Sequence, residues 1–172
     1  MLEHRNSNNN KGISIVELLI AIVVIGVGIA ALLSFGTFSL RTTSLQKQTV
    51  QASFLVKDVV EALKNYRDNT LWDDDDPGDQ YDGLGVAPTA VPLHLELSSD
   101  TPLRWQLLLG PETSGIFTKD VVLELVERDI SDNIVESGAL DLQTKKATVT
   151  VSWTERGATQ QIETTTYLTN WR

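Results

Sequence analysis

The sequence predicts an α+β fold: a long N-terminal α-helix, membrane-spanning in its first half, packed on a C-terminal antiparallel β-sheet. Three patterns predict it. Residues 18–33 are all apolar or glycine. Beyond them, apolar residues recur at alternating steps of four and three, the spacing of one helix face. From residue 93 onward, apolar and polar residues alternate in short runs divided by turn-forming residues, the period of half-buried strands.

Composition sets the outer bounds. A chain of 172 residues suits one domain with an appended segment. A net charge of −9 and the lack of any basic stripe argue against a nucleic-acid partner. There is no cysteine, hence no disulfide framework, thiolate metal site or cysteine nucleophile. An exported domain of this kind must hold together by core packing alone.

Residues 1–12, MLEHRNSNNNKG, form a polar leader with Arg5 and Lys11 set against Glu3. Residues 13–40 would rise ~42 Å as a helix, enough to cross a hydrocarbon core of ~30 Å. Arg41 ends the run. The leader is basic and the chain soon becomes acidic beyond the apolar run. The positive-inside rule therefore keeps the leader cytoplasmic and the C-terminal domain extracytoplasmic, as a single-pass membrane protein in contact with lipid. A secretory signal would have a shorter apolar region followed by a small-residue cleavage site, and no A-x-A pattern follows here. Glu17 is the anomaly. A carboxylate in the first turns of such a helix is costly unless an opposite charge matches it or it lies at headgroup depth.

The spelling around it is informative. Lys11, Gly12, four residues, Glu17 and then an unbroken apolar helix resemble the prepilin signal of type IV pilins and type II secretion pseudopilins. The resemblance implies cleavage between Gly12 and Ile13 by a prepilin peptidase, which also N-methylates the new amine of Ile13. Glu17 then becomes the fifth mature residue. Ile13 stands where the family most often has phenylalanine, and the proline common about twenty residues into mature pilins is missing, with Ser34 in that neighbourhood. Gly26 and Gly28 either soften the helix, at ~1 kcal/mol each in propensity, or offer a close-packing surface to other helices.

Glu17 has a physical logic under this reading. The Ile13 amine and the Glu17 carboxylate attract strongly in a medium of low dielectric, and each is costly alone. The resemblance implies that in an assembled filament the carboxylate meets the amine of a neighbouring subunit. It also implies the partners: prepilin peptidase/N-methyltransferase, other pilin or pseudopilin subunits, and an inner-membrane assembly platform.

Over residues 41–70 the helix becomes amphipathic. Leu45, Thr49, Ala52, Val56, Val59, Leu63 and Tyr66 form the stripe, and Lys47, Gln51, Lys57, Asp58, Glu61, Lys64 and Asp68 the remaining surface. The stripe predicts packing on the domain as far as about Asn69. The rival, a self-associating coiled coil, is disfavoured by Thr49 and Ala52 as seam residues. Residues 71–92 form an acidic loop region. There Asp73, Asp74, Asp75, Asp76, Asp79 and Asp82 crowd together, and Pro77, Gly78, Gly83 and Gly85 block regular structure. A solvated loop is expected. A weak calcium site is the sharper alternative, although no glutamate closes an EF-hand loop.

Residues 93–172 read as the sheet. Leu93, Leu95 and Leu97 alternate with His94 and Glu96, and Leu103, Trp105, Leu107 and Leu109 share one face. FTKDVVLELVERD is apolar on both faces, like a central strand. KKATVTVSW points Ala147, Val149, Val151 and Trp153 inward. QQIETTTYLTNW puts Ile162 and Leu168 on one parity, Tyr167 and Trp171 on the other. SSDTP, GPETSG, SDN and ERGAT are turn chemistry. The result is an antiparallel meander with one face against the helix stripe. This layout is similar to the pilin fold, and ASFLVKDVVEALKNYRDNTLW with TVTVSWTERG…YLTNW resembles PilV- or GspI-like minor subunits.

Catalytic signals are lacking. His4 lies in the leader and His94 on the polar parity of a strand. No nucleophile elbow, phosphate loop or two-histidine metal spacing occurs. The sequence therefore predicts no enzyme, no cofactor and no metal ligands. It predicts a structural subunit, expected to be minor, of a type IV pilus or a pilus-like secretion or uptake filament. The alternative is an unprocessed single-span protein displaying an extracytoplasmic β-rich binding domain.

Overall fold

The computed structural model describes residues 14–75, 82–99 and 101–171. Helix α1 spans Ile15–Asn69 and is followed by seven strands. These are β1 (Pro92–Leu97), β2 (Trp105–Leu109), β3 (Glu112–Ser114), β4 (Phe117–Arg128), β5 (Ile134–Val135), β6 (Ala139–Glu155) and β7 (Ala158–Thr169). The chain divides into two compact units, Met1–Gln46 and Lys47–Arg172.

In the second unit, α1 contributes one face to the core. Ala52, Val56, Ala62, Leu63 and Tyr66 are buried, and Leu55, Val59 and Val60 pack beside them. From Ala52 onward the stripe seen in the sequence is the packed face, widened by Ala62, whereas its first two members, Leu45 and Thr49, are exposed. Complete burial of a leucine such as Leu63 stabilises by ~1.5–3 kcal/mol. The helix closes with Arg67 in its last turn, where a cation suits the negative end of the helix dipole. Asn69 Nδ2 donates to Asn65 O at 2.8 Å, satisfying one of the terminal carbonyls.

The sheet is antiparallel, with strand order β2-β1-β4-β6-β7. It departs from the expected meander at β4. One edge of β4 pairs with β6 along its whole length, and the other is shared by β3, β1 and β5 in turn. GPETSG is not only a turn: Glu112–Ser114 forms β3 and folds back on β4 through Gly115 at φ +63°. Lys119 Nζ and Glu112 Oε2, at 2.9 Å, hold that short hairpin. Trp105 and Leu107 pack on the core as expected, but Leu103 lies before β2 and Leu109 at its end, and both are exposed.

The inward rows are Leu93 and Leu95, Phe117, Val121 and Leu123, then Ala147, Val149, Val151 and Trp153, and finally Leu168. Phe117 and Trp153 meet edge to face, with centroids 5.8 Å apart. A register shift interrupts the pattern between Leu125 and Val126, whose β6 partners jump from Lys145 to Asp141. Around it Val126 is buried outside the main core cluster, beside the groove lined by Glu124 and Tyr167, and Leu125 is exposed. The shift also lets Leu142 O accept from the indole of Trp72 at 3.0 Å and Gln143 O from Asn170 N at 2.8 Å.

The base of the acidic loop is closed by backbone bonds. Gly83 N donates to Asp74 O, and Gly85 N to Trp72 O, each at 2.7 Å, and the Tyr66 hydroxyl donates to Asp82 O. A side chain on Gly83 would meet Leu71 O at 2.1 Å and Trp72 O at 2.2 Å. Close approach of two backbones explains that glycine.

Candidate functional site

Gly12 and Ile13, the predicted cleavage and methylation positions, lie outside the described residues. Glu17 lies inside them, in the first turn of α1. Ser14 precedes the helix, and its carbonyl accepts the first helical bond, from Leu18 N at 3.1 Å. Ser14 and Glu17 stand in the S-x-x-E order that marks a helix N-terminus. Hydropathy alone passes over that signal. An acid in the first turn also faces the positive end of the helix dipole, which favours it. Glu17 is exposed and joins no ion pair among the described residues.

The helix that follows is bare. Its large apolar side chains, through Leu40, keep between 54% of their surface open at Ile29 and 77% at Ile15. Val, Ile and Leu point outward on every side, so no single face can be turned toward a core. A helix apolar all round needs a nonaqueous environment, either lipid or the packed helices of other chains. Length and composition suffice for a membrane crossing.

The polar side chains within this stretch are compatible with such an environment. Ser34 Oγ donates to Ala30 O and Thr37 Oγ1 to Ser34 O, each at 2.9 Å. Further along, Thr42 and Thr43 bond the carbonyls of Phe38 and Ser39. Each hydroxyl is satisfied inside its own helix, as a membrane requires. A Cβ placed on Gly26, Gly28 or Gly36 would meet nothing within 4 Å, so no contact among the described residues demands those glycines.

This segment also carries a prokaryotic N-terminal methylation motif. The family model of that description matches residues 7–33, a stretch containing Gly12, Ile13 and Glu17. Neither a curated protein nor a solved structure matches the chain. The motif is a type IV pilin-like prepilin signal. It supports a prepilin-type processed subunit of a pilus-like system, and a signal of this kind implies a prepilin peptidase and other pilins as partners. Together with the apolar helix it indicates membrane association.

The remaining candidates are surface features of the domain. His94 Nδ1 lies 2.8 Å from Gly110 O, beside the turn that joins β2 to β3. Among the described residues no cluster of three His, Asp or Glu side chains is placed to hold a metal ion. Asp76 and Asp79 of the acidic loop lie outside those residues. A groove of about 500 Å³ opens along β4, β5 and Tyr167, where Lys146 Nζ and Glu124 Oε2 pair at 2.7 Å.

The most constrained charges lie at the far end of β4. Arg128 Nε donates to Asp141 Oδ2 at 2.7 Å, Nη1 to Asp132 O at 2.8 Å and Nη2 to Thr144 Oγ1 at 3.3 Å. The guanidinium bond holds the Asp141 carboxyl below the usual carboxylate range. The Asp129 carboxylate accepts from Asn133 Nδ2, from Asn133 N and from Ser131 N, which closes the β4–β5 turn and lowers the Asp129 pKa. These bonds pin the loop between β4 and β5.

Proposed function

We propose that this chain is a minor structural subunit of a type IV pilus or a pilus-like secretion or uptake filament. It is made as a prepilin, cut after Gly12 and N-methylated at Ile13. The observation that carries the reading is the methylation motif laid over a helix whose apolar surface is open on all sides. In the membrane, lipid covers that surface. In the filament, the helices of neighbouring subunits cover it.

Glu17 sets the register of that exchange. Processing leaves a cationic amine at Ile13, and an unmatched carboxylate entering a helix bundle is strongly disfavoured. Pairing with the amine of a neighbouring subunit removes the penalty at one axial position only. Assembly needs an inner-membrane platform to draw the helix out of lipid, with the domain held outside the cytoplasm.

The deciding measurement is intact mass and N-terminal sequencing of the membrane form. A methylated Ile13 terminus is the expected result. A chain that keeps its leader would instead be an unprocessed single-span protein displaying its β-rich domain.

A further inference from the structure

The free edge of β7 is built unlike a protected edge. Natural sheets blunt such edges with lysine, proline, bulges or short strands. Strand β7 runs 12 residues with no lysine and no proline. It pairs with β6 without a register shift, from Ala158 opposite Glu155 to Thr169 opposite Thr144. No described strand pairs with its other side. The unbonded N–H and C=O groups along it can be matched in full only by another extended backbone.

The sequence of β7 identifies that backbone. Residues 162–168 read Ile-Glu-Thr-Thr-Thr-Tyr-Leu, which is complementary to itself when reversed about Thr165. In an antiparallel pair with its twofold axis at Thr165, Ile162 faces Leu168 of the second copy. Thr164 faces Thr166, and Glu163 faces Tyr167. Ile162 and Leu168 belong to the inner face, where Leu168 is buried and Ile162 packs on the core. Glu163, Thr165 and Tyr167 are exposed on the outer face. Each pair therefore joins like with like, or a carboxylate with a hydroxyl donor, on the correct side of the sheet. A shift by one residue in each copy, to an axis at Thr164, would set Ile162 against Thr166 and leave Leu168 opposite Gln160.

We propose that β7 is a self-pairing edge, through which two copies of this chain join antiparallel about Thr165 into one continuous sheet. The contact is isologous and closes at two copies. Trp153, opposite Gln160 of β7, bonds Gln48, and Trp171 bonds Asp68. Helix residues 47–69 thus run the same way as β7, and the twofold sets them in opposite directions in the two copies. The proposal does not depend on processing at Gly12.

The absence of cysteine makes the test direct. Single-cysteine variants along β7 of the full chain, purified in detergent, are treated with a short thiol-to-thiol crosslinker. Thr165→Cys should give the strongest dimer band. Glu163→Cys and Tyr167→Cys should link poorly alone but efficiently when mixed. Leu109→Cys, exposed on the opposite edge of the sheet, sets the level of random collision. The added variant Thr165→Lys should abolish concentration-dependent dimerisation while leaving the circular dichroism spectrum unchanged. Crosslinking no greater than at Leu109, a maximum at another β7 position, or dimerisation that survives Thr165→Lys overturns the proposal.

Discussion

The indole Nε1 of Trp153 donates to the side-chain oxygen of Gln48 at 3.1 Å, tying β6 to α1 across 105 residues of sequence. Trp153 is 5% exposed, so an unpartnered indole N–H there has little access to water. Gln48→Ala should lower stability by ~1–3 kcal/mol, the cost of an unsatisfied buried donor. Trp153→Phe should make the Gln48 substitution nearly silent. Thermal unfolding of both single variants and the double variant measures the coupling directly.

Acid should weaken the far end of the sheet through Asp141. Its bond from Arg128 depresses its pKa below the ordinary value of 3.8. A depressed carboxylate binds fewer protons folded than unfolded, so its contribution is complete above about pH 4. It is lost as the pH falls through the lower, folded value. Asp141→Asn should flatten that part of the stability profile between neutral pH and strong acid. The check is the unfolding midpoint in denaturant at a series of pH values, with Thr144 and Thr169 left intact.

Lys145 has the opposite character. It is 2% exposed, with no ion pair among the described residues, and burial lowers its pKa. It continues the inward row of Ala147, Val149, Val151 and Trp153, and Thr144 beside it is buried as well, where strict alternation would expose it. Below its folded pKa the lysine carries a desolvation cost that the unfolded chain escapes. Stability therefore rises as the pH climbs from the folded pKa toward 10.5. Lys145→Met should raise Tm at neutral pH and remove that alkaline rise. An unchanged or lower Tm would mean that the ammonium is matched.

Much of this was readable because it is local. The helix stripe through Ala52, Val56, Val59, Leu63 and Tyr66 follows from spacing alone, and so does the inward row from Ala147 to Trp153. The Gly12–Glu17 signal is a contiguous spelling. What escaped the sequence is nonlocal. Leu125 follows the parity of Leu123 on paper, yet a shift opposite Lys145 exposes it. Ala139–Thr144 of β6 alternates Leu140 and Leu142 with Asp141 and Gln143, yet both leucines are exposed, because the register shift separates this end from the inward row. The three residues of β3 are too few to show a period. Gly83 reads as a loop breaker, whereas its reason is the carbonyl of Leu71.

That glycine gives a paired prediction. Gly83→Ala places a methyl group against two backbone carbonyls, which cannot move aside cheaply. Overpacking of this kind costs ~1–3 kcal/mol. It should open the loop base and raise proteolysis near Asp74. Gly26→Ala meets open space in α1 and should leave folding intact, with helix propensity improved by up to ~1 kcal/mol. If Gly26→Ala nevertheless blocks filament incorporation, its surface is reserved for another helix.

Glu17 provides the sharpest separation of insertion from assembly. Its carboxylate sits in the first turn of a helix whose apolar residues alone suffice for insertion. Glu17→Ala should therefore reach the membrane in normal amount and still be cut after Gly12. Under the proposed charge matching, incorporation into filaments should fall by about tenfold or more, because no carboxylate is left to match an amine in the bundle. Glu17→Gln keeps the shape and hydrogen-bonding capacity but not the charge, and should fail similarly. Fractionation of membrane and sheared filaments, probed for the chain, reads both steps. If Glu17→Gln incorporates normally while Glu17→Ala does not, hydrogen bonding at the helix start, and not charge matching, sets the register.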